Sequence, residues 1–430
     1  MQEELDRMIH LIILRGLVAP SCHYWAESDD TLRDKSGIKL YRKLVKESRS
    51  PFIPLQILGV DLQLVVSLDH IEYMLQHSPH KFRVGKLKHS FFSNFMSKNV
   101  GVSTGEKWLQ RRLVNVETLH TDRAHVFGED FDRYIYEAVQ TSEPHCFQDF
   151  LGVAEGLATR ICFNRRTTAK PIFRFLEKAN SVQQYEKGGF QPDPQLLREY
   201  IKYMLHQIQH PRPRCLMELA VQFEPDPEEL LHQIPHWVFP LGAAIHTLVP
   251  RLLHLLTNHP CLWTRVLDEI RDVHVPGTWE SLMGLRFLRK CILEALRINN
   301  NVVSLFRTAA EQVDFGNGYT FPEGTQFVVF TNPILRNPDF FDHPEEFRPN
   351  RWTRELEERH LASISFSRGP QRCPGKDLVL LVVMSYIAHF LRRVGVVCDR
   401  SRPFRTGRLN PKKISDAINP CRIEFEYRVD

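Results

Sequence analysis

The residues Phe366-Ser367-Arg368-Gly369-Pro370-Gln371-Arg372-Cys373-Pro374-Gly375 hold one cysteine in a tight turn, with a glycine four positions before it, another two after it, and an apolar run beyond. A thiolate at a helix N-terminus has its charge stabilised by free backbone amides and the helix dipole, and glycines let those amides approach the sulfur. Such a turn can present one thiolate to a metal ion. A free cysteine is also a small hydrophobe, and nine cysteines are scattered along the chain. A plain buried thiol is therefore the competing reading of Cys373.

Charged residues recur at helical spacing elsewhere. Glu294 and Arg297 stand three apart on one face, among the apolar Cys291, Ile292, Leu293 and Leu296. Exposed pairs of this kind contribute little, whereas a buried pair needs a third partner for its remaining hydrogen bonds. Arg351, within Phe347-Arg348-Pro349-Asn350-Arg351-Trp352, can supply one. Trp108 and Arg112 lie four apart on another helical face, which any surface helix can carry. Arg111 beside them is expected to be solvated. Arg307, ahead of a strand-like stretch, reads on its own as a strand-edge cation.

Together these segments resemble the cytochrome P450 family. Phe366, Gly369, Cys373 and Gly375 match the spacing of that family's haem-binding loop, and the resemblance implies haem b with Cys373 as axial ligand. Trp108 and Arg112 resemble the family's Trp-x-x-x-Arg, whose indole and guanidinium reach a haem propionate; an arginine fork matches both carboxylate oxygens. Arg307 takes the place of a second propionate-binding arginine. Glu294, Arg297 and Arg351 resemble the family's structural triad behind the cysteine loop. The chain departs from the pattern two residues before the cysteine, where the family carries Arg or His and this sequence has Gln371. Arg372 is the remaining loop cation for a propionate.

The family's long helix over the haem carries a small residue, Gly, a spacer, an acid and Thr. Glu228–His259 could form a helix of roughly 48 Å at 1.5 Å per residue, bent by Pro235, Pro240 and Pro250. The motif falls on Pro240, Leu241, Gly242, Ala243 and Ala244, which include neither acid nor alcohol. His246 and Thr247, a turn further on, are either a polar pair facing another helix or, after a register shift at the prolines, catalytic groups near the iron.

The resemblance implies a monooxygenase that inserts one oxygen atom from O2 into an apolar organic substrate, since thiolate ligation favours O–O cleavage. The missing acid and alcohol keep open a peroxide-using or hydroperoxide-rearranging enzyme, and a non-catalytic haem-binding protein is a third reading. A monooxygenase of this length has no room for a fused reductase, so a separate electron-transfer protein is expected. A monomer is expected.

The elements positioning these residues follow from composition and pattern. The chain has 430 residues, 43% hydrophobic and 25% charged, enough for a large core. A net charge of +5, spread along the chain, argues against nucleic-acid binding. Nine cysteines without a CxxC pair argue against a disulfide framework or zinc site and suit a reducing, cytoplasmic setting. Met8–Pro20 is too short and interrupted to span a bilayer and lacks a signal peptide's basic start; it reads as an amphipathic helix or a shallow membrane contact, so no transmembrane anchor is expected.

Residues 1–430 read as one mainly α domain with a small β region, about 37–80 plus 302–330. Pro51 and Pro54 mark a turn before a hairpin split at Gly59, and Asp69 caps a helix carrying Ile71, Met74 and Leu75. Lys81–Lys98 reads as a basic, aromatic loop where the family's substrate-contacting loop lies. Phe127–Glu229 is helical, broken near Gly188-Gly189, Pro192, Pro194 and Pro211. Val313 to Phe321 is a hairpin around Gly316-Asn317-Gly318. Leu378–Leu391 is a fully buried helix.

Overall fold

The computed structural model describes residues 33–57, 59–179, 193–271, 277–302, 304–358, 361–397, 404–406 and 423–427. Met8–Pro20 and the expected breaks at Gly188-Gly189 and Pro192 lie outside them.

Strands β1 (Phe52–Ile57) and β2 (Val60–Val65) form the expected hairpin, Phe52 opposite Val65 and Ile57 opposite Val60. Gly59 turns it at φ +73. Pro54 lies within β1 instead of preceding it. β1 is an edge strand, where a missing N–H breaks no ladder. The other strands are β3 (Phe82–Val84), β4 (Ser304–Ala309), β5 (Val313–Asp314), β6 (Thr320–Phe321) and β7 (Gln326–Phe330). The main sheet runs β1-β2-β7-β4-β3, with β2 and β7 parallel. β4 and β7 are buried at every position. β5 and β6 pair around Gly316, Asn317 and Gly318, all at positive φ, as the sequence predicts.

Helix α1 spans Arg33–Ser48 and α2 spans Leu68–Gln76. In α2, Ile71, Met74 and Leu75 are buried as expected, but the N-cap is Ser67 and Asp69 sits within the first turn. The stretch expected to be a loop is largely helix α3 (Lys86–Met96), which follows β3 directly at an extended Gly85. A Cβ on Gly85 would lie 2.6 Å from that of Phe306, so α3 begins hard against β4.

The helical body contains α4 (Gly105–Leu119), α5 (Gly128–Thr141), α6 (Phe147–Phe163), α7 (Lys170–Ala179) and α8 (Pro194–Gln209). Pro194 opens α8 behind an Asp193 cap, so it starts a helix where a break is expected. Helices α9 (Pro235–Ala243) and α10 (Val249–Thr257) flank a π-helical turn, Ala244–Leu248. Pro250 has no N–H for the His246 carbonyl four residues back, and the ladder widens just before it. The helical run Pro227–Thr257 is long and apolar enough to cross a membrane, yet 83% of its most apolar window is buried inside the protein.

Beyond it lie α11 (Arg286–Ile298) and α12 (Lys376–Val397). Leu378 and every residue from Leu380 to Leu391 of α12 are buried, as the sequence predicts. At its contact with α5, buried Asp132 accepts from Ser385 Oγ at 2.5 Å and from the Gly277 amide at 2.7 Å, and lies 2.8 Å from His389 Nε2.

Candidate haem site

The cysteine loop is pinned before it reaches α12. Ser367 and Gly369 adopt positive φ, +59 and +68, and the Cys373 amide donates to the Phe366 carbonyl at 2.7 Å. The loop lies against the end of α2, where a Cβ on Gly369 would sit 2.2 Å from the Leu75 carbonyl oxygen. Cys373 and Phe366 thereby line a cavity of about 370 Å³. Burial holds the Cys373 thiol above its ordinary pKa, opposed by the Gly375 amide and the Arg112 guanidinium. Helix-end stabilisation of the thiolate, expected from the sequence, is outweighed by desolvation.

Trp108 and Arg112, one turn apart on α4, line the same cavity, as does Arg307 of β4. The Trp108 indole N–H has no hydrogen-bond partner among the described residues. Arg112 donates to the Arg372 carbonyl at 2.7 Å. Arg307 is buried; it donates to Ser78 Oγ at 3.0 Å and to the Phe306 carbonyl at 2.9 Å, meets no carboxylate among the described residues, and is held down at a pKa of about 10 by burial. Among the described residues no aspartate or glutamate lines the cavity, whose apolar wall includes Ala243, Ala244, Leu248 and Leu305. One thiol, an apolar chamber and donors without acidic partners fit a haem, whose carboxylates require such donors.

Arg372, Arg111, His246 and Thr247 all lie off the cavity wall. Arg372 is exposed and pairs with Asp122 on the outer face, so its side chain leaves the cavity and its neighbour Gln371 lines it. Arg111 is not solvated: it forms a fork with Glu229 at 2.9 and 3.1 Å and donates to Ser103 Oγ at 2.7 Å. His246 and Thr247 are absent from the cavity wall. The register shift occurs, as the π turn, but it carries them away. Thr247 Oγ1 donates to the Ala243 carbonyl at 2.5 Å and accepts from Asn301 at 3.0 Å, and the His246 ring packs edge-on to Phe147, its pKa lowered to about 4 chiefly by burial.

Glu294 lies at the centre of a buried cluster. Arg297 reaches its two oxygens at 2.9 and 2.8 Å, Arg351 Nε at 3.0 Å, Trp352 Nε1 at 2.9 Å and the Arg348 amide at 3.0 Å. Arg297 spends its remaining donors on the carbonyls of Leu335, Pro344 and Glu346. None of Glu294, Arg297, Arg351 and Trp352 lines the cavity. Sequence reasoning missed Trp352 as a partner, and Lys88, Asn300 and Asn301 as cavity-lining residues. Lys88 lay inside the aperiodic Lys81–Lys98 stretch, and the two asparagines follow α11 with no spacing signal.

A mainly helical body lies beside a small mixed sheet, and one cysteine loop closes a cavity rimmed by cations that have no carboxylate partner on its described wall. Residues 245–413 match the sequence profile of the family described as Cytochrome P450. Relatives include cytochrome P450 4d2 of Drosophila melanogaster, 31% identical over 38% of this chain and 34% of its own length. Cytochrome P450 4V2 of Mus musculus is 33% identical over 35% and 30%, and cytochrome P450 85A1 of Solanum lycopersicum 26% identical over 44% and 42%. The matches thus span about a third of the first relatives' own length. The profile match covers less than half of this chain.

Proposed function

We propose that this protein is a haem-thiolate monooxygenase acting on an apolar small molecule, with electrons supplied by a separate protein. The observation that carries the reading is the convergence on one cavity of Cys373, Trp108, Arg112 and Arg307. Cys373 ligates the iron; Trp108 with Arg112 holds one propionate and Arg307 the other. The haem, when bound, supplies the O–O bond chemistry that a thiolate ligand promotes. The apolar wall of Ala243, Ala244 and Leu248 excludes water and receives the substrate, and Phe366, Gly369 and Gly375 shape the loop. Glu294, Arg297 and Arg351 act structurally. In the parent protein, reduced and exposed to carbon monoxide, the red-shifted Soret band of thiolate ligation is expected; survival of that band in Cys373→Ala overturns the assignment.

Propionate anchoring has its own expected result. A charge-assisted hydrogen bond contributes about 1.5–3 kcal/mol, so Arg112→Ala and Arg307→Ala each speed haem dissociation by about one to two orders of magnitude. Arg372→Ala, whose side chain pairs with Asp122, stays near the parent. Equal retention in Arg112→Ala and the parent removes Arg112 from the site.

One observation supports a second reading. The long helix faces the cavity with Pro240, Ala243 and Ala244, and Thr247 is turned away into hydrogen bonds of its own. With no acid or alcohol there to pass protons, an enzyme that meets its O–O bond preformed in a peroxide needs neither relay nor reductase. Turnover of a lipid hydroperoxide without reductase, set against turnover of an alkane with electrons and oxygen, separates the two.

A further inference from the structure

Lys88, in the first turn of α3, and Arg307, in the middle of β4, line one cavity because α3 packs directly on β4. No acid lies between them among the described residues, whose titratable groups on the cavity wall are Lys88, Arg112, His236, Arg307 and Cys373. The Lys88 ammonium has no hydrogen-bond acceptor among the described residues, and the Phe92 ring lies 5.8 Å from it. Burial first, and the charge of Arg307 second, lower its pKa to about 8, while His236 is kept neutral at about 4. Two cations facing a shared apolar space repel each other and stay desolvated until an anion enters.

The position two residues before Cys373, from which a cation would reach the cavity, is occupied by the neutral Gln371. We propose that Lys88 and Arg307 together bind one carboxylate in this cavity. Arg307 offers a planar fork and Lys88 a point charge, which suits a carboxylate held from two sides. That carboxylate is either the propionate given above to Arg307 or, in place of it, the carboxylate of an acidic, otherwise apolar substrate.

The inference rests on the haem-thiolate reading, and its test keeps the two apart. Lys88→Met and Lys88→Arg are prepared as holoproteins, and the carbon monoxide band is recorded for each and for the parent. Haem dissociation is then timed, and spin-state shifts are titrated with dodecanoate and with dodecanol. If the carboxylate is a propionate, Lys88→Met loses haem about tenfold faster or more. If it belongs to the substrate, haem is retained and dodecanoate affinity falls by a similar factor while dodecanol affinity holds. Lys88→Arg restores either property. Unchanged haem dissociation together with unchanged dodecanoate affinity in Lys88→Met overturns the inference, whereas absence of the thiolate band in the parent overturns the reading of Cys373.

Discussion

Glu294→Ala is expected to yield haem-poor or insoluble protein, at a cost of about 3–5 kcal/mol. The carboxylate is fully buried and accepts from Arg297, Arg351, Trp352 and the Arg348 amide. Its removal strands a guanidinium that has no exposed surface and an indole N–H that is buried with it. Arg297 retains three carbonyl acceptors, so its neutral hydrogen bonds survive, but nothing within the cluster balances its charge. Against a typical total of about 5–15 kcal/mol, such a loss removes a large fraction of stability. Glu294→Gln, which keeps the shape and one acceptor, should fall between parent and alanine variant. Thermal unfolding and haem content measure both, and a soluble, fully haem-loaded Glu294→Ala protein would show that the cluster is dispensable.

The second large effect separates two glycines that look equivalent in the sequence. Gly369→Ala places a β-carbon 2.2 Å from the Leu75 oxygen and 2.8 Å from its carbonyl carbon, at a residue whose φ is +68. The clashing atoms are backbone, so the loop or the end of α2 must move. Left-handed strain and overpacking together cost about 2–6 kcal/mol, and the loop that sets the Cys373 sulfur is displaced. Gly375→Ala meets only the Leu119 side chain, at an ordinary 3.6 Å, and has no positive φ to strain. Haem content and thermal midpoint should therefore collapse in Gly369→Ala and stay near the parent in Gly375→Ala. Equal behaviour of the two variants would refute the contact with α2.

The glycine contrast marks where sequence reasoning stopped. Local pattern carried the hairpins, the buried run of α12 and the pairing of Glu294 with Arg297, because each depends on residues a few positions apart. Arg111 resisted, since its partner Glu229 lies 118 residues away and neither position announces the other. Lys81–Lys98 shows no clean apolar period, so the helix within it is fixed by docking on β4 and not by its own amphipathicity. Pro54 was misplaced because proline signals a turn until the strand is known to lie at an edge. For His246 and Thr247 the prolines did announce a register shift; its direction depended on Asn301 and Phe147, which only the assembled fold brings near.

The helical run Pro227–Thr257 has a consequence for the order in which the molecule is made. Its π turn packs on α6, which precedes it in the chain, and on α12, which follows far downstream. A ribosome working at about 5–20 residues per second therefore exposes this long apolar segment for several seconds before its second cover exists. During that interval the segment has the length and apolarity of a membrane span. Chaperone engagement of nascent chains should accordingly rise once residue 257 has emerged and fall after α12 is complete.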